Sequence, residues 1–377
     1  MTRTLVFFSL EAWDGVWRRN QYFVDGLLRA DPELRVVFVE PPRDVLHDLV
    51  SRRRPQQGRG ERPGDARYRG RLTLIEPTKW LPRLAGPASD GLLRASVARA
   101  LDRAGEGAII WVNDPDWAGV VARRSLPALY DMTDDWLASG QSARVLDRIR
   151  ANEKILFDRC AAIVVCSEGL RSSRLAARPD LVLIPNAVDV DRYRVPTPRP
   201  DDLPNGPVAL YVGTLHEDRV DVGLLIATGD ALNRVGGSVV LVGPSALTSA
   251  SRQRLEDADG VVLLGERPYE QVPAYLQHAE VLIVPHSVNE FTESLDPIKL
   301  YEYLAVGRPV VSTPVAGFRQ IANEPGVSFV SGANFVDLVC RTATTDRATI
   351  VHDAIADWDA RVEDVQRVLE AIAEAQH

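Results

Sequence analysis

Apolar runs of four to eight residues, closed off by glycine, proline or charged residues, recur along the whole chain. Stretches with apolar residues at three- and four-residue spacing lie between them. TLVFFSL (4–10), RVVFVE ending at Glu40, GAIIWVN ending at Asn113, LPALYD ending at Asp131, AAIVVC and LVLIP are apolar without alternation, the pattern of strands covered on both faces. Arg19 to Ala30, with Tyr22, Phe23 and Leu27 on one side, and Ser142 to Arg159 have helical spacing. Strand and helix alternating in this way predict a parallel sheet flanked by helices. The pattern breaks at PTPRPDDLPNGP (196–207), too rich in proline for a helix or a central strand and suited to a stiff connector. It then restarts with VALYVGTL, a helix through Leu224 to Arg234, SVVLVG, VVLLGERP and VLIVPHS. The chain is therefore expected to fold as α/β, with two Rossmann-like doubly wound units over 1–195 and 208–348. An amphipathic helix anchored by Trp358 is expected within 349–377.

The most informative run is SLDPIKLYEYLAVGRPVVSTP, which begins at Ser294. Asp296 has the side chain of an N-cap, Pro297 suits the first helical position, and Gly307 supplies a left-handed stop ahead of the strand Pro309-Val310-Val311. Leu300 and Leu304 face inward, while Lys299 and Glu302 share another face. Amides at such a helix start, with Ile298 and Lys299 in the first turn, make a seat for a diphosphate; Glu302 one turn deeper can accept from sugar hydroxyls. The spacing also fits a capped surface helix with an i,i+3 ion pair. Lys299 is one of three lysines, with Lys79 and Lys154, in a chain whose cations are otherwise arginine.

In an open parallel sheet ligands gather beyond the carboxyl ends of strands. That places the loop Glu11–Asn20 on the functional rim, with Trp13, Asp14, Gly15, Trp17 and Arg18 as candidate acceptor-side residues. It also places Asp131, Asp134 and Asp135 there, with Asp131 as first candidate general base and Asp134 beside it. The segment Ser51–Arg71 is arginine-rich and reads as a loop able to meet anionic headgroups, or as a solvated insert.

The run from Ser294 resembles the donor-site helix of GT-B glycosyltransferases, specifically bacterial family-4-like enzymes, whose pattern is Glu, seven residues, Glu, then Ala-x-Gly-x-Pro-Val-Val. Glu302 takes the second Glu position, which in that family holds the ribose. Ser294 stands where the first Glu would contact the donor sugar, with Glu293 and Asp296 close enough in sequence to substitute. In YVGTLHEDR, Gly213 and Arg219 match the family's glycine and diphosphate-clamping lysine positions, and Thr214 replaces an arginine. Gly243 matches the glycine turn facing the nucleotide. GERPYE, with Glu266 and Arg267, resembles the loop that reads the base, and His286 after VLIVP is placed for a phosphate or sugar contact, as is His216 in the phosphate turn. IPNAVD resembles the family's Pro-Asn-Gly-Val-Asp turn, with Ala187 in place of Gly. The resemblance implies two domains facing across a cleft, a terminal helix crossing back to the first, and transfer of a sugar from a nucleoside diphosphate to a glycan, lipid-linked or small-molecule acceptor. Arg219 and Lys299 would then stabilise the leaving diphosphate. A nucleotide-sugar 2-epimerase or a non-catalytic nucleotide-sugar binder shares these features.

At 377 residues the chain suits two domains, and its net charge of −8 argues against a general nucleic-acid binder. Cys160, Cys166 and Cys340 have no metal-ligand spacing. There is no Gly-x-x-x-x-Gly-Lys-Ser/Thr loop and no Gly-x-Gly-x-x-Gly after the first strand. No metal and no further cofactor is expected. With no signal segment or membrane-length run, the expected location is cytoplasmic, with peripheral membrane contact through Arg52–Arg71.

Overall fold

The computed structural model describes residues 4–50, 54–81, 86–289, 292–319, 321, 323–345, 349–352 and 355–375. Arg52 and Arg53 of the arginine-rich segment, and Asp353, Ala354, Gln376 and His377 of the expected terminal helix, lie outside them. The chain divides into two compact units: one takes residues up to Leu137, 141–185 and Trp358 onward; the other takes 138–140 and Asn186–Asp357.

The first unit is built on an eight-stranded sheet. Its strands are β1 (Thr4–Phe8), β2 (Arg35–Val39), β3 (Gly60–Pro63), β4 (Leu72–Glu76), β5 (Ile109–Val112), β6 (Ala128–Met132), β7 (Ala162–Val165) and β8 (Val182–Leu183). They lie in the order β8-β7-β6-β5-β1-β2-β4-β3, all parallel except β3, which pairs antiparallel with β4. Burial on both faces accounts for the unalternated apolar runs: every residue of β5 and β6 is buried. Phe7 stacks on Phe38 and Trp111 at 5.3 and 4.8 Å, and the ring of Phe23, from helix α1 (Arg19–Ala30), lies 5.5 Å from Trp111. Strand order reverses between β1 and β5, so the crevice of this unit opens where Phe8 and Val112 end.

Helix α2 (Trp358–Glu374) packs on α1, where Trp358 stacks on Tyr22 at 4.8 Å and meets Phe23 edge-on at 5.6 Å. It begins at Trp358 rather than at His352. Just before it, Val188 pairs with Asp357 in a parallel bridge and donates to the Ala356 carbonyl, which holds the backbone extended.

Two expectations are corrected here. Residues 60–76 of the arginine-rich stretch form the β3–β4 hairpin, whose connection buries Tyr68. Its positive charge is answered locally: Arg59 pairs with Glu76 and Glu40, Arg62 with Glu40, and Arg67 with Asp25 and Asp65. The proline-rich 196–207 segment, expected as a stiff connector, is packed within the second unit. Thr197 and Gln277 share hydrogen bonds at 2.8 and 2.9 Å, Asp202 accepts from Tyr275 at 2.7 Å, and Leu203 is buried. Prolines leave few amides to satisfy, so such a strap can lie against a surface through side-chain partners alone.

The second unit carries six parallel strands, β9 (Val208–Val212), β10 (Ser238–Val242), β11 (Val261–Gly265), β12 (Val281–Val284), β13 (Val310–Ser312) and β14 (Val327–Phe329), in the order β11-β10-β9-β12-β13-β14. This is again a doubly wound arrangement, with its reversal between β9 and β12. Leu225, Leu232, Phe335 and Val339 cover one face over Tyr211, Leu241 and Ile283. Tyr303 and Leu300, from helix α3 (Ile298–Val306), are buried as well.

Candidate functional site

The reversal between β9 and β12 is where the second unit gathers polar groups. After Val212 the chain turns at Gly213, whose φ of +141° side chains rarely adopt, and its amide donates to Val242 O at 2.9 Å. After Val242 it turns again at Gly243, φ +142°, where a Cβ would come within 2.3 Å of Gly213 O. Gly243 is therefore required by the Gly213 backbone beside it: two strand ends turn side by side, with no room for a side chain at the second. Leu215–His216 and Ser245–Ala246 then pair as a short parallel extension of these turns.

Helix α3 points its start at this place. It runs from Ile298 rather than Pro297; Pro297 occupies the N-cap position, and no side chain caps the helix. Asp296 is not the cap. Its carboxylate is buried, accepting from the Asn186 amide and from the Tyr301 hydroxyl at 2.8 Å, while the Asn186 side chain donates to the Asp296 carbonyl. First-turn amides of α3 thus keep the unsatisfied, electropositive character that favours an anion. Gly307, φ +70°, closes the helix as the sequence predicts.

Lys299 bends back from α3 to the Gly213 turn. Its Nζ donates to the Tyr211 hydroxyl at 2.8 Å and stands 4.1 Å from the ring centre, and a Cβ on Gly213 would lie 2.8 Å from it. The Tyr211 hydroxyl also meets His286 Nε2 at 3.2 Å. Burial, followed by the Lys299 and Arg219 charges, pushes the His286 pKa well below its ordinary value, so the ring is neutral and stands inside the wall rather than exposed to a ligand. His216 is lowered by the same burial and the same two cations. Arg219 follows the Leu215–His216 extension and faces the strand end at His286: its carbonyl accepts from Ser287 N at 2.7 Å, and Val220 bridges His286.

One turn into α3, Glu302 is 8% exposed. Its Oε1 accepts from the Tyr193 hydroxyl, which is 3.3 Å from that of Tyr269; Oε2 makes no hydrogen bond among the described residues. Burial raises the Glu302 pKa, opposed by Tyr193, Lys299 and Arg192. The Arg192 guanidinium lies 4.1 Å over the Tyr269 ring.

Other predicted residues are placed elsewhere. Glu293 is half-buried and paired with Arg319, and Ser294 is buried in the turn before α3. The Arg267 side chain is taken up by Asp202, Tyr275 and the Leu264 and Glu266 carbonyls, leaving backbone near Glu266 as the accessible part of that loop. Thr214 contributes its carbonyl to Tyr211 at 3.3 Å.

In the first unit, Asp131 is 0% exposed and holds the Arg19 guanidinium with both oxygens, at 2.9 to 3.3 Å. A proton acceptor for an incoming substrate needs an accessible oxygen; Asp131 is instead a buried ion-pair partner. Asp135 is likewise paired with Arg174 at 2.6 Å, and Asp134 is half-buried beside Thr133. Trp13 packs against Trp17, Phe38 and Tyr68, and Trp17 against Tyr22, so both rings pack along the rim; Asp14 and Gly15 are exposed between them. Arg18 reaches Asp14 and Glu11 at 3.5 and 3.8 Å. Beside Leu10 a cavity of about 390 Å³ is lined by Asp44, Lys79, Asp90, Arg94, Asp116 and Arg148.

Sequence reasoning passed over Tyr193, Tyr211, Tyr269 and Asn186. A tyrosine in the otherwise aliphatic VALYV was a readable signal; the partners of Tyr193 and Asn186 lie 109 and 110 residues away, and nothing local announces them.

Two doubly wound parallel-sheet units, the second with glycine turns and a helix start at its reversal point, have the GT-B fold of glycosyltransferases. Residues 206–344 match the family model described as glycosyl transferases group 1. The chain is 23% identical over 248 residues to a relative in Bacillus subtilis (strain 168) provisionally named the teichuronic acid biosynthesis glycosyltransferase TuaH. That match covers 62% of this chain and 62% of the relative, so the chain spans less than two thirds of it. Among solved structures, sucrose-phosphate synthase from Thermosynechococcus elongatus superposes with a TM-score of 0.70 at 17% identity, over 99% of this chain and 100% of that one. Anabaena HepE in complex with UDP and glucose gives 0.67 at 15%, over 97% and 99%.

Proposed function

We propose that the protein is a glycosyltransferase that moves a sugar from a nucleoside diphosphate to a hydroxyl-bearing acceptor. The observation that carries this is the convergence of Lys299 Nζ, the Gly213 turn and the uncapped start of α3 at the β9/β12 reversal, with Glu302 one turn below. In this reading the diphosphate sits at the amides of Ile298 and Lys299, with Lys299 and Arg219 as its cations, and Glu302 Oε2 takes ribose hydroxyls. As the bond from sugar to phosphate breaks, negative charge grows on the diphosphate, and preorganised donors already aimed there stabilise it by several kcal/mol. Lys299 and the helix start supply that charge from the chain itself, so no metal is part of the reading. Ser294, Asp296 and Pro297 shape the turn rather than touch the donor, and Gly243 and the backbone near Glu266 face the base.

The UDP bound in the HepE complex makes UDP-sugars the first donors to test. The teichuronic acid role carried in the name of the Bacillus relative makes a glycan the first acceptor class. The charged cavity beside Leu10 supports a polar acceptor. No helix among the described residues is long and apolar enough to cross a membrane. Peripheral contact with anionic headgroups would rest on Arg54 and Arg69, both exposed and outside the ion pairs of the hairpin, and vesicle flotation tests it.

The deciding experiment is thermal shift and calorimetric titration with UDP, GDP, dTDP and their sugars, followed by nucleotide release in the presence of acceptors. Binding to the folded form raises the melting temperature. Tight binding of a diphosphate that Lys299→Met leaves unchanged would refute the site. Binding without release under any acceptor would leave a binding protein in place of an enzyme.

A further inference from the structure

Lys299 and Glu302 stand one turn apart on α3, at the spacing of an i,i+3 ion pair, and they do not pair. Lys299 Nζ donates to the Tyr211 hydroxyl, and the Tyr193 hydroxyl donates to Glu302 Oε1. Each charged end is thus held by a phenol from another element of the second unit. Tyr193 lies in the short helix Val190–Arg194, which follows the IPNAVD turn and packs on α3. Its side chain is buried and its carbonyl accepts from Gln277 Nε2 at 3.0 Å, so ring and backbone are both fixed. The hydroxyl of Tyr269, the first residue after the GERP loop, lies 3.3 Å from that of Tyr193.

A glutamate carried on a helix has several side-chain torsions to fix before its carboxylate can face a ligand in one direction. The Tyr193 bond to Oε1 fixes them in advance and leaves Oε2 to the ligand. Oε2 is also within reach. Among the described residues, the enclosed side-chain oxygens that lack a hydrogen-bond partner are on Glu11, Asn20, Glu40 and Glu153. Glu302 Oε2 lacks a partner and is not one of these enclosed atoms, so it keeps accessible surface. A phenol suits the task chemically. Its proton favours the ionised carboxylate, which burial opposes, and burial and the Glu302 charge hold the Tyr193 pKa well above its ordinary value, so that proton stays in place.

We propose that Tyr193 is the positioning residue for ribose recognition: its hydroxyl locks Glu302 Oε1, so that Oε2 meets the ribose hydroxyls of a nucleoside diphosphate. Through it the chain prefers nucleotides that carry those hydroxyls. Tyr193 touches no ligand in this role and acts through Glu302, while Tyr269 ties the same hydroxyl to the end of the loop assigned above to the base. The inference rests on the donor-site reading, and within it on Glu302 taking the ribose. A tyrosine that only filled space would be replaced by phenylalanine without consequence for the ligand, which makes the hydroxyl the part to remove.

The test is calorimetric titration of the full chain with UDP and with 2′,3′-dideoxy-UDP, which keeps base and diphosphate and lacks both ribose hydroxyls. The ratio of the two affinities is the readout, because damage to the fold or to the diphosphate seat lowers both alike. Wild type is expected to prefer UDP by about ten-fold or more, and Tyr193→Phe to weaken UDP by about five- to ten-fold while leaving the dideoxy ligand within about two-fold. In a Glu302→Ala background no carboxylate remains to be aimed, and Tyr193→Phe is expected to leave UDP affinity within about two-fold. An unchanged ratio in Tyr193→Phe, or an equal loss of UDP affinity with and without Glu302, would overturn the positioning role and leave the diphosphate site standing. Wild type that binds both ligands equally would overturn the ribose role of Glu302, and this role with it. GDP and its dideoxy form serve in the same way if UDP does not bind; binding of neither pair would overturn the donor-site reading itself.

Discussion

Lys299 and Tyr211, 88 residues apart, hold each other at 2.8 Å across the Gly213 turn, the ammonium donating to the phenol and lying near its ring face. The contact fixes a flexible side chain in place before any ligand arrives, and it explains why β9 carries a tyrosine among aliphatic residues. Lys299→Met should therefore leave melting temperature nearly unchanged while weakening diphosphate affinity by about 10- to 100-fold, the range for a charge-assisted hydrogen bond of about 1.5–3 kcal/mol. Tyr211→Phe should give a smaller loss, about five-fold, because the cation stays but is no longer aimed. Calorimetric titration of both variants with UDP measures the difference.

The glycine turns separate stability from binding. A Cβ at Gly243 meets backbone, 2.3 Å from Gly213 O, whereas a Cβ at Gly213 meets the mobile end of Lys299 at 2.8 Å. Gly243→Ala is expected to destabilise by about 2–4 kcal/mol, and Gly213→Ala by about 1–2 kcal/mol with the larger effect on donor affinity. Urea unfolding and UDP titration on the same two proteins rank them.

Acid should weaken the second unit through His286. Its folded pKa lies well below 6.5, because burial and the Lys299 and Arg219 charges oppose a proton. The unfolded chain takes that proton first as pH falls through 6.5, so the stability this group contributes is complete above that value and declines below it. The slope approaches about 1.4 kcal/mol per pH unit for one group. His286→Gln should flatten the fall in urea stability between pH 7 and pH 5. An unaltered slope would mean that the ring is not held neutral.

Asp131 should behave as a structural residue. Asp131→Asn leaves Arg19 buried beside a neutral partner, and loss of one member of a buried ion pair costs about 3–5 kcal/mol. The pH profile of turnover should be that of the wild type. Unfolding midpoints and pH–rate curves of Asp131→Asn beside those of the wild type make the comparison.

Much of the architecture was written in local patterns. The apolar runs announced the strands, Gly307 announced the end of α3, and Lys299 and Glu302 were singled out from their spacing along it. What escaped was decided at long range. Asp296 has the side chain of a cap but is claimed by Asn186, and Asp131 looks like a base but is claimed by Arg19, 112 residues before it. The arginines at 59, 62 and 67 look like a free basic patch only while Glu40, Glu76 and Asp25 are out of sight. The start of the terminal helix at Trp358 was hidden because its amphipathic spacing continues upstream, into residues that a bridge to Val188 keeps extended.

The stacking of Trp358 on Tyr22 has a consequence for how the polypeptide is made. The first unit is discontinuous: α1 and α2 belong to it, and the main stretch of the second unit, Asn186–Asp357, lies between them in sequence. During synthesis from the amino end, α1 must wait with the Tyr22 face bare until α2 emerges, whereas Asn186–Asp357 has by then been made in full. Removing α2 would thus injure the half made first, and a fragment beginning at Asn186 and stopping at Asp357 is the natural piece to produce separately.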